Sequence, residues 1–534
     1  MKRTIALLVS FLMLLAVFAG CAGGANNAAG GSDKPQTETS GGASSSGNAE
    51  GTQSTGPVRR EQLRVALSGQ PDTLDPYASS NTCGLIATLL VYERLLRTDE
   101  EGNIIPWLAT EYEMLDDTTL RFVLRDDVYF HDGSKFTAED AAFSLKTAAE
   151  SSFTANLFGS IDPEGFEIKS DTELIVKLLS PNAAILKALS SNRGVMISKN
   201  YYENAAAEDV ARKPMGTGPM VFEEWVVGDH YSFTKNENYW GDELAYDSVL
   251  FRFITESSSR CIELETGGVD IAQELAFSDW DRIDQNPKTK LIKGDTLGTR
   301  FLVFNQNVEF LRDYNVRKAL AYALDFEAIV NVVWQGNARV ADSYYSPAIS
   351  GHKAVGPQEY NPEKAREYLA LAGYSESNPL KFTYYTYENT VNITLAEMVQ
   401  QMWAAVGIEA EVSVTDLSSF TTMNNNGELT VTLLSTTASI ADPTAALLIW
   451  PITRTISVRH GDQHIQDLLD AGVATYDQAE RDAIYGELQD YLWEKFYAVP
   501  VCYPQEGYGC ASYVQNLPFY PNTCFELDRV TFSE

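Results

Sequence analysis

Leu380-Lys-Phe-Thr-Tyr-Tyr-Thr-Tyr387 reads as a strand, because aromatic and β-branched residues fill it. Ile393–Val406 follows as a helix, then Glu409–Val414 and Val431–Ser435 as further strands. A strand–helix–strand succession of this kind decides the fold class: α/β. Working outward, a helix is expected over Pro362–Ala372, ended by Gly373, and one long helix within Leu311–Val333. Helices over Ile465–Ala471 and Gln478–Lys495 lie downstream. Towards the N-terminus, Leu63–Leu67 reads as a first strand, and Thr88–Leu96 has apolar residues at helical spacing. Leu120–Arg125 alternates as a strand, and Asp132-Gly133 forms the nucleus of a turn. Thr137 as N-cap and Asp140 three residues on form a capping box for the helix Ala141–Ala149. Strand pairs are expected at Glu167–Lys169 with Leu174–Leu178 and at Val221–Trp225 with Tyr231–Lys235, and one more strand at Val249–Ile254.

Residues 1–20 have the parts of a signal peptide: Lys2 and Arg3, an apolar run Ile5–Phe18, and small Ala19-Gly20. Cys21, directly after them, resembles the lipidated cysteine of a bacterial lipobox, although Phe18 stands where a smaller aliphatic residue is usual. Residues 21–57 then form a lipidated cysteine and a disordered tether. Ala22–Pro57 is Gly, Ala, Ser, Thr, Asn and Gln with no aromatic residue, too polar to offset its ordering entropy. Such a coil spans roughly 33 Å, enough to hold a folded body off a membrane. Val58–Glu534 has ordinary globular composition and exceeds one hydrophobic core, so two or more lobes are expected. It contains no second apolar run of spanning length.

The formal charge is −33, and all of it belongs to the body, since the N-terminal segment balances itself. Such a field repels nucleic acid and anionic polymers, and screening confines its reach to about 8 Å. Apart from Cys21 there are five cysteines, Cys83, Cys261, Cys502, Cys510 and Cys524, none in a CxxC spacing. At least one thiol must stay free; Cys502–Cys510 or Cys510–Cys524 pairing is open, and buried thiols are the default. No Gly-x-Ser-x-Gly elbow or His-Glu-x-x-His motif marks a hydrolase. His460 and His464 have chelate spacing, but Asp462 reads as the N-cap of the following helix and leaves His460 outside it. No metal site, no cofactor and no enzymatic activity are therefore expected.

Four stretches together resemble the extracytoplasmic solute-binding proteins of family 5, which feed peptide and nickel importers of the ATP-binding-cassette (ABC) type. They are Ile105–Ala109 through Phe136–Asp140; Pro214–Pro219 through Asn236–Gly241; Phe304-Asn305 with Val316–Ala319 and Tyr322–Asp325; and Ala479–Arg481 with Ile484-Tyr485, Gln489 and Val499-Pro500. They span essentially the whole body. Their residues look structural: Gly133 and Gly218 for positive φ, Trp225 and Trp240 as core anchors, His131 as a hydrogen-bonded turn residue. The resemblance implies a two-lobe, periplasmic-binding-protein-like fold (type II, a Venus flytrap) with a discontinuous lobe I. Crossovers are expected near Asn305–Phe310 and Pro500–Glu506. Lobe I would take 58–307, with 80–205 as an extra subdomain, lobe II 308–503, and 504–534 would return to lobe I.

The same resemblance implies a ligand enclosed between the lobes and delivered to the transmembrane subunits of an ABC permease. The protein would be a monomer, lipid-anchored on the extracytoplasmic face of the cell membrane. Two loops should line the cleft: Ser79–Cys83, offering Asn81, Thr82 and Cys83, and Ser435–Pro443. Peptide binders usually place an acid in the second loop for the ligand's α-ammonium. Ser439 occupies that slot here, and Asp442 matches a more structural acid that equally suits a helix cap. Arg454 and Arg459 are candidates for a ligand carboxylate, and Trp450, Tyr503 and Tyr508 for aromatic walls. A peptide is the leading solute, with an oligosaccharide or nickel chelate as alternatives and a secreted hydrolase as the other class.

Overall fold

The computed structural model describes residues 58–79, 81–99, 102–453 and 458–534. The signal peptide, Cys21, the tether and Arg454 lie outside these residues. The body is organised on a 12-stranded sheet in which ten strands run in the order Glu409–Thr415, Lys381–Tyr387, Val431–Thr437, Gly298–Phe304, Ala498–Ala511, Ile271–Ala272, Arg60–Leu67, Tyr246–Phe253, His230–Lys235, Met220–Val226, while Thr289–Asp295 and Ala338–Val340 pair with Ala498–Ala511 off this path. Lys381–Tyr387 lies parallel to both its neighbours, and Arg60–Leu67 parallel to Tyr246–Phe253, as α/β units require.

One strand joins the halves. Val340↔Cys502 and Leu302↔Val499 tie the first part of Ala498–Ala511 to one half. Thr289–Asp295 pairs with its second part, from Ala511 back to Gln505. The second crossover therefore sits at Pro504-Gln505. The first lies at Thr296-Leu297, between the strands Thr289–Asp295 and Gly298–Phe304, and not at Asn305–Phe310 as expected. The strand Gly298–Phe304 had been assigned to lobe I, but it pairs along its whole length with Val431–Thr437. The chain end packs beside the first strand and Tyr246–Phe253: Val58 bridges Phe532, and the Tyr246 hydroxyl donates to Leu527 O at 3.1 Å.

Within the extra subdomain, Ala109–Asp116, Thr119–Leu124, Glu173–Leu178 and Ile161–Ser170 form a separate antiparallel sheet in that order. The helix Ala138–Glu150 packs on it, and both bonds of the Thr137/Asp140 capping box are made. Lobe II has its own core of buried side chains, from Leu302 and Leu320 to Trp403 and Val501. The lobe I core continues without a break into Trp450, Ile465 and Leu488. The segment after Val431–Thr437 thus also packs across to the subdomain: Ala183 N donates to Val473 O at 2.9 Å and the Tyr476 hydroxyl to Asp117 O at 2.8 Å.

Three local expectations change. Leu311–Val333 is a short 3-10 turn and two helices, Tyr314–Tyr322 and Phe326–Val333. Asp325 caps the second, its carboxylate accepting from Ala328 N at 2.9 Å, which breaks the run. The helix read at Thr88–Leu96 is Thr82–Val91, and Leu96 begins a strand. Gly133 does have positive φ (85°), but Gly218 does not. Its constraint is space: a Cβ there would lie 2.7 Å from Leu90 O.

Candidate functional site

The cleft loops are held from behind. Asn81 caps the helix Thr82–Val91, its Oδ1 accepting from Cys83 N at 2.9 Å. Thr82 is half-buried beside it. Cys83 is buried, with Ser68 Oγ and Gln273 Oε1 each 3.6 Å from its sulfur, and burial pushes its thiol pKa up. The neighbouring turn Gln273-Glu274 is pinned by Arg260, a buried guanidinium spent wholly on carbonyls. Its Nε donates to Gln273 O and its Nη1 to Ile254 O, each at 2.7 Å. That clamp holds Glu274 exposed at φ 48°, a left-handed conformation unusual for a glutamate.

On the lobe II side, Ser439 is half-buried in the loop that follows Val431–Thr437. Asp442 has no exposed surface, and its two oxygens accept from Arg481 Nη2 and Nη1 at 2.7 Å each. It also caps Pro443–Ala446 through Thr444 N at 3.1 Å, and Lys187 Nζ approaches to 3.3 Å. Burial raises its pKa, but the Arg481 hydrogen bonds and charge, with Lys187, outweigh that and hold it below the usual carboxylate range. Trp450 is buried against Tyr344, while its Nε1 has no partner among the described residues. Tyr503 is buried, its hydroxyl 3.0 Å from both Asp342 Oδ1 and Ser343 O. Tyr508 is buried with its hydroxyl on Pro518 O, stacked on Phe519. Arg459 is occupied by Asn425 O at 2.7 Å.

Of the remaining motif residues, Trp225 is half-buried with its Nε1 unpartnered among the described residues, while the others are engaged. His131 Nε2 lies 3.0 Å from Gly218 O. Trp240 Nε1 donates to buried Glu93 at 2.8 Å. Asp462 caps Gln463–Ala474, so His460 turns to Trp450 O at 2.6 Å while His464 faces Glu487. All five body cysteines are free and buried. Among the described residues no group of three His, Cys, Asp or Glu side chains has metal-binding geometry.

Two residues that the sequence reading passed over stand out at the crossovers. Arg300, third residue of Gly298–Phe304, lies opposite Cys502 on one side and Ser435 on the other. Glu506 is four residues beyond Cys502 on the joining strand, so strand periodicity puts it on the same face. Arg300 Nη1 is buried with no hydrogen-bond partner among the described residues. Glu506 is half-buried, with no ion pair or side-chain hydrogen bond among them either. Burial, then the charge of Glu274, pushes its pKa up to about 7, against the pull of Arg300. An uncompensated charge in a half-buried position is costly and calls for a partner. The available signal was a lone charge inside each of two apolar strands.

An α/β body whose two halves are joined by a pair of crossover strands has the architecture of binding proteins that enclose a ligand between lobes. Residues 103–455 match the model described as bacterial extracellular solute-binding proteins, family 5 Middle, and the chain belongs to that family. It is similar to the nickel-binding periplasmic protein of Escherichia coli K12, 26% identical over 82% of this chain and 88% of that one. It is also 25% identical to the glutathione-binding protein GsiB of Salmonella paratyphi A, over 87% of this chain and 93% of the relative. Among solved structures, the periplasmic binding protein DppA of Helicobacter pylori, in complex with the peptide STSA, superposes with a TM-score of 0.78 at 25% identity. That match covers 89% of this chain and 99% of DppA. The protein is an extracytoplasmic solute-binding component that captures its solute for import by an ABC permease.

Proposed function

We propose that the solute is a short peptide, enclosed between lobes that follow the strand pairing, with lobe I at 58–296 and 505–534 and lobe II between. The observation that carries this reading is the presence of unpaired half-buried charges of both signs, Glu506 and Arg300, at the crossovers. A zwitterion with an ammonium and a carboxylate matches such a site; a neutral oligosaccharide would leave both charges desolvated and unpaired. The peptide-bound DppA and the glutathione-binding GsiB support the same solute class. A nickel chelate is the second reading, favoured by the nickel-binding relative.

Around the ligand we place Asn81, Thr82, Cys83, Ser439 and Trp450, with Tyr503 and Tyr508 behind them; Arg454 stays a candidate for the ligand carboxylate, and Asp442 takes a structural role. The protein acts without catalysis, as a monomer held to the membrane through a lipid on Cys21. Extraction of the purified protein followed by mass spectrometry tests the solute: recovered intact peptides support the reading, and nickel or glycan alone refutes it. Cys21→Ala should move the chain from the membrane to the soluble fraction.

A further inference from the structure

Resting on the peptide reading, the geometry points to a division of labour. Glu506, with Glu274 beside it, takes the ligand's ammonium, and Arg300 takes its carboxylate, so the two ends of the solute are read on the crossover strands and not on the Ser435–Pro443 loop.

Three observations support the assignment. First, the loop has no acid free to serve. Ser439 is uncharged, and both oxygens of Asp442 are consumed by Arg481 and Thr444. Second, the two acids at the crossover are not structural. Glu506 has no side-chain hydrogen bond among the described residues, and the backbone clamp of Arg260 holds Glu274 in a strained left-handed conformation while leaving its carboxylate exposed. Structural carboxylates in this chain look different: Glu93 and Asp442 are saturated with donors. Third, Arg300 is the counterpart in the opposite sign. The buried guanidinia Arg94, Arg193, Arg260, Arg317 and Arg481 are all spent on carbonyls or carboxylates. Arg300 is half-buried as a residue, and unlike them it keeps a buried Nη1 without a partner among the described residues. Glu506 and Arg300 sense each other's field without forming an ion pair, as two groups do when something of both signs is to lie between them. Charged groups from the joining strand, from the strand Gly298–Phe304 and from the turn after Ile271–Ala272 thus meet at one place.

The test uses alanine peptides of two to six residues, each free, N-acetylated or C-amidated, titrated calorimetrically into the full chain and into E506Q, R300Q and R300K. The wild type should lose about 10- to 100-fold in affinity on acetylation, and a similar factor on amidation. E506Q should bind free and acetylated peptides alike and keep the amidation penalty. R300Q should do the reverse, and R300K should restore part of the preference for a free carboxylate. The ligand-free unfolding midpoints of E506Q and R300Q should equal or exceed that of the wild type, because each removes an unpaired charge. The assignment is overturned if E506Q keeps the full acetylation penalty, if R300Q keeps the amidation penalty, or if the ligand-free midpoints fall. If no peptide binds to the wild type, the peptide reading itself fails and takes the assignment with it. Peptides that bind with penalties untouched by either variant sink the assignment alone.

Discussion

Arg481→Met would decide whether Asp442 belongs to the scaffold or to the ligand. The two side chains are 3% and 0% exposed and share two hydrogen bonds of 2.7 Å. Removing the guanidinium leaves a carboxylate buried beside only Lys187, at 3.3 Å, and its cap bond to Thr444. Breaking a buried pair from one side costs about 3–5 kcal/mol, mostly for the stranded charge. Replacing both partners, as in D442N/R481M, should return at least half of that, giving a coupling of about 2 kcal/mol in the double-mutant cycle. The assay is urea unfolding followed by tryptophan fluorescence. Because Asp442 titrates below its ordinary range in the folded protein, its contribution is fully present above the unfolded-state pKa near 4 and fades as pH falls through the folded value. The gap between wild type and R481M should therefore narrow from pH 7 to pH 3. Wild-type stability in R481M at pH 7, or a cycle with no coupling, refutes the reasoning. Loss of peptide binding in D442N with an unchanged midpoint would instead give Asp442 to the ligand.

Glu93 accepts from Trp107 Nε1, Tyr239 OH, Trp240 Nε1 and Thr217 Oγ1 at 2.8–2.9 Å, and burial outweighs these donors to push its pKa up to about 6. The raised value means stability is full below the unfolded pKa and declines by ~2 kcal/mol as pH rises from about 4.5 through 6, a slope that E93Q should flatten. E93Q should also cost about 1–3 kcal/mol at pH 5, since an amide N–H would face the indole N–H of Trp240 or Trp107. Binding of free-amine peptides should strengthen as pH rises through about 7, where Glu506 ionises in the field of Glu274 and Arg300, and E506Q should be flat from pH 6 to 8. Gly218→Ala should destabilise by about 1–3 kcal/mol through collision with Leu90 O, whereas Gly133→Ala, in open space at φ 85°, should cost only about 1 kcal/mol, both read by thermal unfolding.

Strands whose side chains alternate or run apolar were legible, because one buried face imposes a period of two. The pairs at Glu167–Lys169 with Leu174–Leu178 and at Val221–Trp225 with Tyr231–Lys235 stand within one or two residues of their observed partners. The helix Thr82–Val91 is apolar nearly all round, so periodicity carried no start signal, and only Asn81 as a cap marked it. Leu311–Val333 failed in the opposite way: a continuous apolar period concealed the capping side chain of Asp325. The joining strand was not read as a strand, although the crossover within it lies inside the expected Pro500–Glu506. Yet the strand continues from Ala498 to Ala511, and Pro504 O accepts from Thr296 Oγ1 at 2.9 Å, tying the two crossovers together. The charged pair was not legible, since Arg300 and Glu506 come near one another only when Gly298–Phe304 pairs with the joining strand much later in the chain.

The position of those charges bears on how binding drives closure. A ligand shifts an open–closed equilibrium only by the difference in its affinity for the two states. A loop such as Asn81–Cys83 belongs to one lobe, so it gives the ligand contacts whether or not the other lobe arrives. Glu506 and Arg300 lie on the strands that pass between the lobes, where closing removes water from both while neither has a protein partner among the described residues. The empty closed state carries that cost, and the ligand removes it only there. A charge-assisted bond at each end contributes about 1.5–3 kcal/mol, so two contribute about 3–6 kcal/mol. Turning a 1:99 equilibrium into 99:1 takes about 5.5 kcal/mol. Two end charges therefore supply at least half of that shift, whereas either variant, E506Q or R300Q, should leave a ligand-saturated population that scattering still reads as partly open.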